Sequence, residues 1–112
     1  MPEPRLEIHP DVQNDDLVEI TSYIASDNPV AADHVYEAIT GLFIELARYP
    51  LMGTEYSPLR RTLTGIRMGV VTEYPNYLVY YRPLPGNAGV RILYVLHAAR
   101  DAATFAKAHR RQ

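Results

Sequence analysis

The 112 residues carry 47% hydrophobic and 21% charged side chains, no cysteine and a formal net charge of −2. That balance specifies a single globular domain burying about two-thirds of its unfolded surface without staples, and it excludes wholesale disorder. The absent cysteine excludes a disulfide framework and thiolate metal sites, no apolar run reaches the roughly 18 residues of a membrane span, and the opening MPEPRLEIHP has no signal pattern; the expected location is the cytoplasm, with no membrane partner.

Arg5 to His9 alternates Leu6 and Ile8 against polar neighbours, which predicts a short first strand. Pro10 then suits the first position of a helix, with Asp11, Asp15 and Asp16 near its positive end. Over Asp11 to Ser26 the residues Leu17, Ile20 and Ile24, joined by Tyr23, form one apolar stripe. Asn28-Pro29 supplies a cap and a first turn for a second helix, in which Val35, Ile39, Leu42 and Leu46 step by four, three and four, widened by Tyr36 and Phe43. Pro50 stops it at Tyr49. Two helices so closely joined make a hairpin whose shared apolar face needs a cover.

Leu51 to Gly65 has no clear period and reads as a loop, with room for a short strand or turn around Leu59 to Leu63. Three runs of β-branched and aromatic residues follow, Ile66–Thr72, Tyr77–Arg82 and Val90–His97, separated by turn residues; they predict consecutive antiparallel strands that cover the hairpin. Gly86-Asn87-Ala88-Gly89 links two strands and opens no helix, so it reads as a hairpin tip and not as a phosphate cradle. Asp101 can cap a short final helix.

Charge is unevenly distributed along the chain. Up to Glu55 there are eleven acids against Arg5 and Arg48, a net −9; from Tyr56 onward there are nine bases against Glu73 and Asp101, a net +7. The basic half suits an acidic partner, whereas the acidic half would repel an enveloping phosphate surface, an argument against direct nucleic-acid binding. Arg67, Arg82 and Arg91 fall on predicted strands and admit two readings, a solvated face or a docking surface for carboxylates or phosphates; the scarcity of acids between Glu55 and Asp101 favours the second. Tyr74, Tyr77, Tyr80, Tyr81 and Tyr94 add aromatic area that packs or stacks. His9, His34, His97 and His109 are dispersed with no metal-ligand spacing, so neither a metal nor a cofactor is expected, and His97 reads as a hydrogen-bonded structural histidine.

The order of LEIHPDVQNDDLVEITSYIASDNPVAADHVYEAI, LARYPLMG, GIRMGVV, YLVYYR and VRILYVLHAARD resembles the ParE branch of the RelE/ParE superfamily, the toxins of bacterial type II toxin–antitoxin modules. The resemblance runs from Leu6 to about Phe105. It implies an α+β domain: an N-terminal strand, a helical hairpin packed on an antiparallel sheet, and a short C-terminal helix. It also implies a ParD-like antitoxin that wraps the toxin in a hetero-oligomer.

Two activities are known in that superfamily. RelE-like members cut messenger RNA on the ribosome, and Arg67 and Arg100 match arginines of those nucleases; where several of them carry tyrosine, this chain has Ala106. ParE-like members resemble non-enzymatic poisons of DNA gyrase, and the sequence pI near 6.0 with the acidic hairpin favours that expectation. A third reading is an inert member that only binds antitoxin. The residues expected to hold a protein partner are Arg60, Arg61, Arg67, Tyr80, Arg82, Arg91 and Arg100; no catalytic residue is assigned, and a nuclease would use Arg67 and Arg100.

Overall fold

The computed structural model describes residues 3–56, 65–100 and 111. Among these residues five strands, β1 (Arg5–Ile8), β2 (Thr54–Glu55), β3 (Arg67–Val70), β4 (Tyr77–Pro83) and β5 (Gly89–His97), and two α-helices, α1 (Leu17–Ala25) and α2 (Pro29–Arg48), make an α+β layer pair. The strands form one sheet in the order β1-β5-β4-β3-β2. β2 to β5 are antiparallel neighbours, as expected for the three strand runs, and β1 lies parallel to β5, so the five-stranded sheet is mixed. The helical hairpin carries the chain away from β1, and the sheet returns to it only through its last strand, in the same direction.

Local chemistry explains the helices. His9 Nδ1 accepts from the Asp11 N–H, capping the helical start. Before α1 settles, Val12–Asp16 form one wide turn with i→i+5 bonding, a feature the hydrophobic period does not encode. The α2 cap is as expected: Asn28 Oδ1 accepts from the Ala31 N–H and Pro29 occupies the first turn. The helix ends at Arg48, ahead of Pro50.

The core lies between hairpin and sheet. Val35, Ile39, Leu42, Phe43 and Leu46 of α2 and Leu17 and Ile20 of α1 pack on Val79, Tyr81, Val90, Ile92 and Val95. Each such side chain contributes about 1.5–3 kcal/mol by leaving water. Tyr23 departs from the expected stripe, being 69% exposed, as does Tyr36, which is also exposed.

Register fixes the second face of the sheet. Tyr80 pairs with Tyr94 and Tyr81 with Ile92, so Leu93 is an extra residue and β5 bulges there. The bulge turns Leu93 and Tyr94 both away from the hairpin. With Ile66 and Tyr80 they form a smaller buried cluster, flanked by Tyr56, Met68, Leu78 and Leu96. The sheet therefore has apolar packing on both sides.

β1 docks on β5 because Gly89 has no side chain. A Cβ there would fall 1.9 Å from the Arg5 carbonyl oxygen, and the backbone φ of 150° is one that side chains rarely adopt. The β4–β5 connection is a tight turn over Pro85–Asn87 with Gly86 and Asn87 at positive φ, the hairpin tip expected there. Helical backbone begins again at Ala98 to Arg100, while the rest of the expected final helix, and the strand or turn expected around Leu59 to Leu63, lie outside the described residues. β2, at the far edge, falls within the stretch read as loop.

Candidate functional site

The seven expected partner-binding residues do not share one surface. Arg60 and Arg61 lie outside the described residues. The other five occupy three environments.

Arg67 faces the hairpin, not the outer side of the sheet. Two residues on, Gly69 lies against Leu42 and Leu46 of α2, while Met68 between them packs in the outer cluster. One terminal nitrogen of Arg67 donates to the Leu51 carbonyl at 2.9 Å and the Gly53 carbonyl at 2.6 Å. Tyr81, opposite Arg67, donates its hydroxyl to the Pro50 carbonyl at 2.7 Å and accepts from the Gly53 N–H at 3.0 Å. Together they fasten the turn that leads from α2 into β2, and the Arg67 Nε is buried without a hydrogen-bond partner. The expectation that Arg67 lines an outer docking face is corrected: its guanidinium satisfies backbone carbonyls that a chain leaving a helix must place somewhere.

Tyr80 belongs to the smaller buried cluster. It lies on the outer face but is only 7% exposed, in edge-to-face contact with Tyr56 at 5.2 Å between ring centroids. Burial, with a smaller contribution from Tyr56, pushes its hydroxyl above the ordinary tyrosine value. It supports the face from within.

Arg82 and Arg91 do lie side by side. They are directly opposed across β4 and β5 on the outer face, a like-charge pairing that costs stability unless acids intervene. Glu7 of β1, in register with Arg91, approaches it at 3.7 Å and also binds Arg5. The Arg82 guanidinium occupies the space where a Cβ on Gly65 would sit, 2.8 Å from its Nη1. The result is a row of Arg82, Arg91 and Arg5 across three strands, with the Glu7 carboxylate beside Arg91 and Arg5.

Arg100 lies past the end of β5. Its N–H donates to His97 Nδ1 at 3.2 Å and its guanidinium lies over the Tyr23 ring at 5.5 Å from the centroid. His97 stands edge-on to Tyr77 as well, a structural role in keeping with its sequence reading. Arg100 also borders a small cavity of about 150 Å³ with Asp16, Glu19, Tyr94 and Arg111.

Sequence reasoning missed the joining of Asp16 and Arg111 at that cavity. Beyond Ile8, β1 no longer covers β5, and two side chains complete the open ladder: Asp16 accepts from the Val95 N–H at 3.0 Å, and Arg111 donates to the Leu93 carbonyl at 3.2 Å. Asp16 and Arg111 bind each other, and Arg111 stacks on Tyr94 at 4.5 Å while its N–H donates to the Tyr94 hydroxyl. Burial raises the Asp16 carboxyl above its usual range even though Arg111 and the Val95 N–H pull it down. No sequence period signals this clasp, because its members stand 95 residues apart. Among the described residues no group of His, Cys, Asp and Glu has the makings of a metal site, and no helix is long and apolar enough to cross a membrane.

A family model described as the ParE toxin of type II toxin–antitoxin systems, parDE, matches residues 6–102. The chain belongs to the ParE toxin family. The match runs from Leu6 in β1 through β5, so Arg82, Arg91 and the fastened α2–β2 turn fall inside it and Arg5 lies just before it. A search of curated proteins finds no match. Membership makes this chain a toxin of the type II toxin–antitoxin class and implies an antitoxin as its partner.

Proposed function

We propose that this ParE-family toxin acts by protein binding, poisoning DNA gyrase without catalysing a reaction, and that an acidic antitoxin segment neutralises it in a hetero-oligomer. The observation that carries the reading is the separation of Arg67 from Arg100. Arg67 is in register with Tyr81, whereas Arg100 lies beyond His97, which pairs with Tyr77. Four residues of β4, about 13 Å of strand, lie between those levels. The two arginines that a nuclease would use thus do not converge on one phosphodiester, and Arg67 is already occupied by backbone carbonyls. Ala106 in place of a tyrosine supports the same reading.

Arg82 and Arg91 are the residues we assign to the acidic segment. Arginines on directly opposed residues of neighbouring strands offer two cationic groups to the carboxylates of such a segment. Arg100, exposed at the far end, is assigned to a separate contact.

The experiment is a supercoiling assay with antitoxin-free toxin, followed by primer extension on translated messenger RNA from arrested cells. Loss of supercoiling with accumulation of cleaved DNA, and no new messenger ends, is the expected result. Full supercoiling at a large molar excess of toxin overturns the gyrase reading, and new cleavage ends would favour the nuclease. Normal growth on expression of the chain alone would leave only antitoxin binding.

A further inference from the structure

We infer that the free edge of β1 is a self-complementary surface on which a second copy of this chain pairs, joining two sheets about a two-fold axis. Among the described residues β1 is the outermost strand, bonded to β5 on one side only. The N–H groups of Arg5 and His9 bond to the Ala88 and Ile92 carbonyls, so the strand's alternation turns the N–H and C=O groups of Leu6 and Ile8 outward. An open row of this kind is a template for another strand.

The side chains specify which strand. On the hairpin side of the edge, Leu6 (37% exposed) and Ile44 of α2 (54% exposed) flank a groove of about 460 Å³ completed by Pro4, Ala47 and Arg48. On the outer side stand Arg5 and Glu7. If a second β1 runs antiparallel with Leu6 opposite Leu6, each Arg5 faces the other copy's Glu7, both Leu6 side chains enter the grooves under Ile44, and the Leu6 main chains bond reciprocally. A register centred on Glu7 instead sets two carboxylates opposite each other, which is destabilising. Charge therefore favours the Leu6-centred register over the Glu7-centred one. Pro4, with no N–H, ends the pairing and limits it to an isologous dimer. The interface is small, so it belongs to the weak class. The surface adjoins the Arg82–Arg91 row, with Glu7 common to both, and does not depend on the gyrase reading.

The chain has no cysteine, so single replacements report the register cleanly. In the Leu6-centred dimer the two Cα atoms at position 6 lie about 5.5 Å apart, within disulfide reach, whereas those at position 7 are about 8 Å apart and beyond it. Sedimentation velocity of the full chain should show species of twice its 12.7 kDa at roughly 100 μM. Under mild oxidation Leu6→Cys should crosslink at least about tenfold faster than Glu7→Cys. Ile44→Asp, a substitution at an exposed helix position, should weaken the dimer about tenfold or more with unchanged circular dichroism. A monomer at every concentration, equal crosslinking at the two positions, or an Ile44→Asp dimer of undiminished strength each overturns the proposal. A chain that stays monomeric and gains exchange protection at Leu6 and Ile8 only when antitoxin is added also overturns it, in favour of a partner's strand.

Discussion

Asp16 shows how one residue can hold two parts of the chain and still carry an electrostatic cost. Its carboxylate caps the Val95 N–H and meets Arg111, yet burial dominates and the folded-state pKa lies above the ordinary 3.8. For an acid whose pKa is raised on folding, the native state binds the proton more tightly. The stabilisation from protonation is complete below 3.8 and is lost as pH rises through the raised folded value. Urea titrations from pH 3 upward should therefore show a component of stability falling with pH in that window, and Asp16→Asn should lack it; matching pH profiles for the two proteins would contradict the assignment. Arg67 shows the opposite lesson about legibility. Its residue type and strand position suggested docking, but the carbonyls of Leu51 and Gly53 decide its role, and their proximity depends on how α2 is laid across β3.

At the level of elements, the docking of β1 on β5 depends on a single missing methyl group. Gly89→Ala places a Cβ into the Arg5 backbone at a φ hostile to side chains, and we expect a loss of about 2–4 kcal/mol with early amide exchange at Arg5 and His9. Retained protection at both amides would show that the strand adapts. The helices were legible because capping and period coincide: Asn28-Pro29 and the 35, 39, 42, 46 stripe each act within a few residues. The bulge at Leu93 was not, since in sequence VRILYVLH alternates no more irregularly than any buried strand. Only pairing with Tyr80 and Tyr81 reveals the extra residue and the second apolar cluster that follows from it.

Across the whole molecule, the −9 and +7 halves are the feature that a partner meets first. An acidic segment approaching the Arg82–Arg91 row should associate faster at low salt, with the on-rate falling about tenfold or more between 20 and 300 mM salt while dissociation changes little; stopped-flow mixing with antitoxin measures this, and a salt-independent on-rate would remove electrostatic steering. The sequence by itself determined the α+β class, the capped hairpin, the strand runs and the charge division, because each arises from contacts or counts local in the chain. Only the tertiary structure decided that β1 pairs in parallel at the edge of the described sheet, that Arg67 turns to the hairpin side and Tyr80 is buried, that Arg82 and Arg91 are cross-strand neighbours, and that Asp16 and Arg111 share the end of β5. Those outcomes rest on strand order, register and a bulge, and register is a property of pairs of segments that neither segment encodes alone.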